Sequence, residues 1–373
     1  MNIKGLLSIG FTDIVGTAIT AIFWFFLATL IEPKEFGEIS YVIGIAAMAG
    51  YISLIGTQDT IVVYVAKKIK IQSTLNVLSL AVGGISLIVI VTIFDRIDVG
   101  FLLLAFVVNT LAIGDLLGRN LYKNYSKYFL IQKILTLVLG FSFYYLFGVE
   151  GIIFALALSY SVYTIRVYKG LKDSKISFAI LKPRYGFIIN NYTMVLANAS
   201  KNQVDKIIIA PLLGFGLLGN YALSLQIVGM MLMLTTVFFK YLLPQDAVGN
   251  SNIQIKKIAV ICSVGIAISG IILSPIIIPE LFPKYTEAVD AIQIMSLLVI
   301  PSTISMIYTS KFLGLEKSKL VLIPKVVSLI SIIICMIFLG SMFGIIGLAI
   351  AYVLSVCIEA IIFILINMKL HQR

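Results

Sequence analysis

The chain is built from apolar runs of about 20 residues that are separated by short polar stretches. A run of this length lets an α-helix cross a hydrocarbon core of about 30 Å. Because that core offers no water to backbone polar groups, the runs must form helices that satisfy their own hydrogen bonds. About twelve such runs fill nearly all of the 373 residues. The sequence therefore predicts an all-α membrane protein and leaves no stretch for a soluble domain.

The basic residues indicate how the runs are oriented. Of the 28 lysine and arginine residues, only Lys34, Arg96 and Lys284 lie in loops that follow an odd-numbered run. Apart from Lys201 and Lys206, the others lie near the termini or in even-numbered loops, and cytoplasmic loops carry such an excess. We predict a multi-pass protein of the cell membrane with both termini in the cytoplasm. The net charge of +11 then reflects this orientation, so no nucleic-acid partner is expected.

The two halves of the chain resemble each other. Gly37 aligns with Gly219, and further along the chain Tyr160 aligns with Tyr352. Six runs per half give both halves the same orientation, and two such halves would enclose a transporter's cleft that works by alternating access. We predict two parallel six-helix lobes, over residues 1–168 and 187–373, joined by a basic amphipathic cytoplasmic linker over residues 169–186.

The linker alternates lysines with apolar residues. Leu171, Ile176, Phe178 and Leu181 are spaced among its basic residues, which is typical of an interfacial helix lying on anionic lipid. A connection of sufficient length between the lobes is the simpler interpretation, and both can hold.

The seventh run, residues 187–214, is the most polar of the set. It carries Lys201, Asp205 and Lys206, and each charge near the centre of a span costs roughly 2.5 to 3.5 kcal/mol. Its polar side must therefore face protein or water. Asn198, Lys201, Asn202 and Asp205 share one helical face, which we predict to line a cavity for an anionic group. Lys206 points about 100° away from Asp205. The alternative is a structural ion pair between helices.

Acidic residues also occur in the first and last runs. Asp13 and Thr17 lie on one face of the first run and are predicted to line the same cavity, although Asp13 could instead pair with Lys4. Glu359 lies in the last run, and together with Asp13 it is a candidate for coupling to H⁺ or Na⁺. Asn109 and Asp115, in the fourth run, are further candidates for the lining or for interhelical hydrogen bonds.

Signatures of enzymes are missing from the sequence. The single histidine, His371, lies in the C-terminal tail, and the chain has no Gly-x-Ser-x-Gly motif and no phosphate-binding loop. The three cysteines lie inside apolar runs, where they are expected to be packing residues. We therefore predict a protein that is not an enzyme, with no catalytic residue, no metal site and no cofactor.

Several segments carry a family resemblance. They are ATLIEPKEFGEIS (28–40), VDKIIIAPLLGFGLLGNYALS (204–224), PELFPKYTEAVDAIQIM (279–295) and GLEKSKL (314–320). Their order and spacing resemble those of the polysaccharide biosynthesis flippases, the O-antigen-type branch of the multidrug/oligosaccharidyl-lipid/polysaccharide exporter superfamily. The likeness covers nearly the whole chain and implies a MATE-like exporter fold.

The resemblance implies a flippase that moves a polyprenyl-pyrophosphate-linked oligosaccharide from the cytoplasmic to the outer leaflet during cell-surface polysaccharide biosynthesis. In such proteins a hydrated, often cationic cavity takes the sugar and the pyrophosphate, and Lys201 and Lys206 are the candidates here. Membrane lipids and the glycan polymerase or glycosyltransferases of the same pathway are the implied partners. Related lipid II flippases use cavity arginines, which the predicted spans lack, so lipid II is a less suitable substrate.

Two other functions stay open. A multidrug and toxin extrusion antiporter would use acidic residues such as Asp13 and Glu359 to bind cationic drugs. A membrane-embedded glycan polymerase or glycosyltransferase would normally carry a large external loop, whereas the odd-numbered loops of this chain are short.

Overall fold

The computed structural model describes residues 3–55, 58–247, 252–315 and 317–371, and most of these residues are helical. Over these residues the chain forms fifteen α-helices, three short 3₁₀ helices and no β-strand. The α-helices are α1 Ile3–Leu30, α2 Pro33–Ser53, α3 Gln58–Ala66, α4 Gln72–Phe94, α5 Ile97–Gly118, α6 Tyr122–Phe147, α7 Gly151–Ser159, α8 Thr164–Leu171, α9 Tyr185–Leu213, α10 Phe215–Met231, α11 Met233–Ala247, α12 Ile253–Leu281, α13 Ala288–Ser296, α14 Val299–Gly314 and α15 Ser318–His371. The 3₁₀ helices are Gly148–Glu150, Tyr160–Tyr163 and Phe178–Arg184.

These helices are long and apolar enough for a multi-pass membrane protein. Eight helical stretches could each cross a bilayer, and α13 with α14, bent by 41° at their junction, could form a ninth span. Two of the eight, Tyr122–Leu171 and Lys319–Leu370, contain 50 and 52 residues, so each can cross twice. The second is broken at Gly344, whose φ of +57° favours glycine. With α9, the described helices make about twelve crossings, and the predicted all-α membrane fold is confirmed.

The chain groups into two compact units. Unit 1 contains the described residues up to Leu27 together with Tyr41–Gln203, and unit 2 contains Ala28–Ser40 and the chain from Val204 onward. The unit boundaries therefore fall inside α1, α2 and α9. The predicted lobes are consecutive segments, whereas in the structure α9 groups with unit 1 as far as Gln203 and the α1–α2 junction groups with unit 2.

In unit 1, α5 is the central helix and packs against α3, α4, α7 and α8. The first half of α9 joins this unit through polar contacts. The Tyr192 hydroxyl donates a hydrogen bond to the carbonyl of Ile52 at 2.6 Å, and the Asn191 amide donates to the Thr60 hydroxyl at 3.4 Å. These contacts place the polar start of α9 against protein, as its composition requires.

Unit 2 repeats this arrangement. Its central element is α14, which packs against α11, α12 and α15, while α13 packs against α10, α12 and α15. The rings of Tyr308, Phe312 and Phe363 stack between α14 and α15, with centroids 6.0 to 6.4 Å apart. The recurrence of one central helix in each unit agrees with the internal repeat in the sequence.

Two glycines allow helices α2 and α10 to touch within unit 2. A Cβ atom on Gly37 would lie 1.9 Å from the carbonyl oxygen of Phe215, and one on Gly219 would lie 1.8 Å from that of Pro33. Gly37 and Gly219 are aligned in the sequence repeat, and Pro33 and Phe215 occupy the matching positions four residues earlier. The contact is therefore reciprocal between equivalent positions, and only glycine permits it.

The α1–α2 junction has a second attachment in unit 2. The buried Tyr285 hydroxyl donates a hydrogen bond to the carbonyl of Ile31 at 3.3 Å, and the Lys284 ammonium lies 2.9 Å from the Glu32 carboxylate. Burial, followed by the negative charges of Glu32 and Glu35, raises the pKa of Tyr285. The hydroxyl therefore stays protonated and remains a donor at physiological pH.

The linker forms less helix than its composition suggests. Helix α8 continues to Leu171, residues 172–177 are not helical, and Phe178–Arg184 forms a 3₁₀ helix that leads directly into α9. In place of the expected interfacial α-helix, the linker has an irregular segment followed by a seven-residue 3₁₀ helix. Pro183 contributes to this because it lacks a backbone donor.

Candidate functional site

The polar residues predicted in the seventh run all lie on α9. The backbones of Asn198, Lys201 and Asn202 are helical, but their side chains fall outside the described part of the structure, as does the predicted pairing of Lys201 with Asp205. Asp205 is buried at 3% exposure, and Lys206 is half-buried. The shared helical face is therefore present in the backbone, and the cavity role of these side chains stays a prediction.

Asp205 lies in unit 2, and its carboxylate accepts a hydrogen bond from the backbone N–H of Lys206 at 2.8 Å. Glu359, on α15 of the same unit, is also buried. Two of the carboxylates that we predicted as site residues are therefore enclosed within unit 2.

Asp13 and Thr17 lie on α1 in unit 1, where the helix contacts α6. The Asp13 carboxylate accepts a hydrogen bond from the Tyr125 hydroxyl of α6 at 2.8 Å. The exposed Thr17 donates its hydroxyl proton to the Asp13 carbonyl, so that proton is satisfied within the helix. One turn along, Gly16 faces the Phe129 ring, which a Cβ would approach to 2.3 Å. This side of α1 therefore packs against α6.

The structure adds a membrane lysine that sequence analysis assigned to a loop. Lys133 lies about 16 Å along α6 from the start of the helix and is half-buried. Its ammonium sits 5.2 Å from the centroid of the Phe129 ring and makes no hydrogen bond or ion pair with any residue the structure describes. The sequence did carry a signal that Lys133 belongs to this helix. Tyr125, Phe129 and Lys133 are spaced four residues apart, which places all three on one face of a helix.

A polar cavity of about 250 Å³ lies within unit 1. Its polar lining comes from Tyr51 of α2, Asn109 and Thr110 of α5, Tyr160 and Gln203. The Phe106 ring contributes an aromatic wall and meets the Tyr160 ring edge to face, with centroids 5.5 Å apart. No charged side chain lines the cavity among the described residues, so its chemistry suits a neutral ligand with many hydroxyl groups.

Further tyrosines pack beside this cavity. Tyr160 stacks on Tyr163 with centroids 6.4 Å apart, and Tyr163 stacks in turn on Tyr128 with centroids 6.0 Å apart. The fully buried Tyr163 hydroxyl has no hydrogen-bond partner among the described residues. Sequence analysis identified Asn109 but not these tyrosines, because aromatic residues in apolar runs usually serve as packing.

An apolar groove of about 490 Å³ adjoins the polar cavity. It is formed by α5, α7 and the following turn, and its walls include Phe101, Leu104, Phe154 and Leu158. Tyr160 belongs to the lining of both the groove and the cavity. In unit 1, an apolar groove and a cavity with polar lining groups therefore have one tyrosine in common.

Asp115, in contrast, is part of an ion cluster at the end of α5. Its buried carboxylate pairs with Arg166 and, at 2.6 Å, with Arg119. Arg119 also lies 2.7 Å from Asp173 and donates a hydrogen bond to the Gln72 amide oxygen at 3.1 Å. Partial burial would lower the pKa of Arg119, but its hydrogen bonds and the charges of Asp115 and Asp173 raise it overall. This cluster joins helix ends and does not line the cavity.

A metal centre is not indicated by side-chain grouping. Within the described residues, no three or more His, Cys, Asp or Glu side chains lie together so as to hold an ion.

Comparisons with known proteins identify the fold. No family model matches the chain, and no curated protein matches it. An inward-facing multidrug resistance MATE family transporter of the MOP superfamily shares 15% identity at a TM-score of 0.73, over 99% of this chain and 98% of that one. The lipid II flippase MurJ, in an inward closed conformation, shares 13% identity at a TM-score of 0.75, over 99% and 88%. A MATE protein in complex with MaL6 shares 16% identity at a TM-score of 0.62, over 99% and 96%.

At these identities the comparisons establish the fold. The chain is a multi-pass membrane protein with an all-helical transporter fold. More particularly, the fold is the one shared by MATE transporters and a lipid flippase, which confirms the predicted MATE-like architecture. The named neighbours are transporters and a flippase, not enzymes, in agreement with the prediction.

Proposed function

We propose that the protein is a flippase that carries a polyprenyl-pyrophosphate-linked oligosaccharide from the cytoplasmic to the outer leaflet by alternating access. The resemblance of several sequence segments to O-antigen-type flippases supports this proposal. The glycan polymerase or glycosyltransferases of the same surface-polysaccharide pathway are its expected partners, since they would supply or consume the substrate.

The observation that carries the proposal is that Tyr160 lines both a cavity with polar groups and an apolar groove. A lipid-linked sugar is amphipathic, so its carrier needs a polar site for the glycan beside an apolar site for the chain. Tyr51 and Asn109 present a hydroxyl and an amide for sugar hydroxyls, and the Phe106 ring offers an apolar wall for a sugar face.

Lysines are available for the pyrophosphate. The Lys133 ammonium is unpaired among described residues and half-buried, and a buried cation without an acidic partner favours an anionic ligand. Lys201 and Lys206, on α9, are the candidates that the sequence supplies. We assign all three to the phosphate-binding part of the transport path.

We further propose that transport is coupled to H⁺ or Na⁺ through Asp13 and Glu359. Each is a carboxylate within an apolar helix; Asp13 accepts a hydrogen bond from the Tyr125 hydroxyl, and Glu359 is buried. Carboxylate and hydroxyl oxygens can hold either a proton or a hard cation.

The second candidate function is extrusion of organic cations. The fold similarity to multidrug resistance MATE transporters supports it, as do the acidic residues in the spans. Among the described residues the unit 1 cavity is lined by hydroxyl and amide groups and by no carboxylate, and a carboxylate is what would best hold an organic cation; this favours the flippase.

The deciding experiment uses purified protein in vesicles. We expect it to move a fluorescent lipid-linked oligosaccharide between leaflets and to leave an organic cation such as ethidium undisturbed. If the vesicles transport ethidium but do not translocate the lipid-linked sugar, the flippase proposal is wrong and the protein is an extruder of organic cations.

Substitutions of Lys133 test the anion site. A charge-assisted hydrogen bond contributes about 1.5 to 3 kcal/mol, so Lys133→Met should slow flipping by about 10-fold to 100-fold. Lys133→Arg should restore much of the rate because it keeps the charge. Lys123→Met is the matched control, since Lys123 lies on the same helix and is exposed. Equal flipping rates for Lys133→Met and the control would show that Lys133 does not bind the pyrophosphate.

A further inference from the structure

Two loops that are distant in sequence form one lysine-rich surface on unit 1. The Ser174 hydroxyl donates a hydrogen bond to the carbonyl of Lys70 at 3.3 Å, which brings the α3–α4 loop against the linker. We define the lysine surface as the exposed side chains of Lys67, Lys68, Lys70, Lys169, Lys172, Lys175 and Lys182. The acidic residue of the linker, Asp173, is paired with Arg119. The surface is therefore strongly positive.

The linker is held in place by the first turn of α4. The Ser73 hydroxyl donates a hydrogen bond to the Gly170 carbonyl and accepts one from the backbone N–H of Ser174, both at 3.0 Å. The Thr74 hydroxyl accepts one from the backbone N–H of Ser177, also at 3.0 Å. Ser73 and Thr74 are buried. These bonds fix the segment, so its lysines and apolar side chains are presented in a set orientation.

Apolar side chains project among these lysines. Phe178 is 58% exposed, Ile176 51% and Tyr185 63%, and Tyr168 is exposed beside Lys172. An aqueous surface would leave this apolar area in water, whereas the interfacial region of a bilayer buries aromatic rings and attracts lysines. The combination is typical of a surface that rests on lipid headgroups.

The position of the segment agrees with this occupant. Leu171 ends a membrane-length stretch, Gln72 begins another, and Tyr185 begins α9. The linker is bonded to the first turn of α4 and connects two further helix ends, so it must lie at the level of a membrane boundary.

We propose that the lysine surface, with Phe178 and Tyr185 as apolar anchors, is a docking site for anionic phospholipid headgroups of the surrounding bilayer. Clusters of four to eight basic residues next to a membrane span bind acidic lipids, with roughly a fivefold gain in binding for each residue. The linker then holds α8 and the start of α9 at the bilayer surface, and the lipid composition sets how firmly it is held.

The test uses full-length protein in nanodiscs. The native cysteines are replaced by alanine, an environment-sensitive fluorophore is attached to a cysteine at the exposed position Ala179, and the discs contain phosphatidylcholine with increasing phosphatidylglycerol. We expect blue-shifted emission and quenching by doxyl-labelled lipid as phosphatidylglycerol increases, and a weaker response in high salt, which screens exposed charges.

Two charge-matched triple variants separate a local site from net charge. Lys172→Gln, Lys175→Gln and Lys182→Gln together should weaken the phosphatidylglycerol response on the order of 100-fold. Lys123→Gln, Lys317→Gln and Lys319→Gln remove the same charge from exposed positions elsewhere and should change it little. Both proteins are first checked for a single elution peak. The proposal is overturned if the emission of the label is the same with and without phosphatidylglycerol. It is also overturned if both triple variants lose the phosphatidylglycerol response to the same extent.

Discussion

The reciprocal contact between Gly37 and Gly219 makes a quantitative prediction for unit 2. In Gly219→Ala the added Cβ would lie 1.8 Å from the Pro33 carbonyl oxygen, whereas real Cβ atoms essentially never come within 3.0 Å of another atom. The obstacle is backbone, so α2 and α10 must separate by roughly 1.2 Å. Overpacking of this kind costs about 1 to 3 kcal/mol.

The loss should appear as a lower unfolding temperature. For a unit of this size, about 1 to 3 kcal/mol corresponds to a decrease of about 2 to 10 °C. The assay follows the reaction of a thiol-specific dye with Cys262, Cys335 and Cys357 on heating, because all three lie in unit 2 and are partly buried. Gly216→Ala is the matched control, since it lies on the same helix and its Cβ would meet nothing within 4 Å.

A double substitution tests whether the two glycines share one contact. Gly37→Ala should destabilise by a similar amount, because its Cβ would lie 1.9 Å from the Phe215 carbonyl oxygen. Once the first alanine has separated the helices, the second should cost less than it does alone. The reasoning would be refuted if the two losses of stability were strictly additive, or if Gly219→Ala unfolded at the same temperature as the Gly216→Ala control.

Further predictions concern charge and packing. Lys201→Ala should abolish complementation of a flippase-null strain while folded protein remains in the membrane. Full complementation would show that Lys201 does not serve transport as a cavity residue. Asp115→Asn removes the buried carboxylate that Arg119 and Arg166 share, leaves Arg119 with Asp173 alone, and should cost about 3 to 5 kcal/mol, measured as loss of the monodisperse fraction on heating. Asp98→Asn is its control, because the partner Arg96 is 42% exposed and such pairs contribute at most about 1 kcal/mol. Phe312→Ala, in the stacked cluster of unit 2, should cost about 3 to 5 kcal/mol in the same heating assay, and an unchanged midpoint would contradict its core position.

The helices themselves could largely be predicted from the sequence. The seventh run was expected over residues 187–214 and forms α9, Tyr185–Leu213. Gly214, the last residue of that run, has a φ of +86° and separates α9 from α10. Span length and turn residues are local properties, since the thickness of the hydrocarbon core and the conformational freedom of glycine act on each segment separately.

Partners across helices could not be predicted in the same way. The Asp13 carboxylate accepts a hydrogen bond from Tyr125, which is more than a hundred residues away along the chain. Lys133 was counted with a loop, although it lies well inside α6. From sequence, a lysine near the start of an apolar run indicates the end of a membrane span. Only the packing of α6 on α1 shows that the methylene chain of Lys133 lies against Gly16.

The sequence by itself determined that this is a multi-pass helical membrane protein with a repeated architecture, because hydropathy and repeat spacing are properties of the chain alone. The tertiary structure decided which repeat positions touch, with Gly37 against Phe215 and Gly219 against Pro33. It also decided that a polar cavity and an apolar groove share Tyr160. Such sites form where side chains of separate helices meet, and the faces that meet are fixed by packing between helices rather than by any one segment.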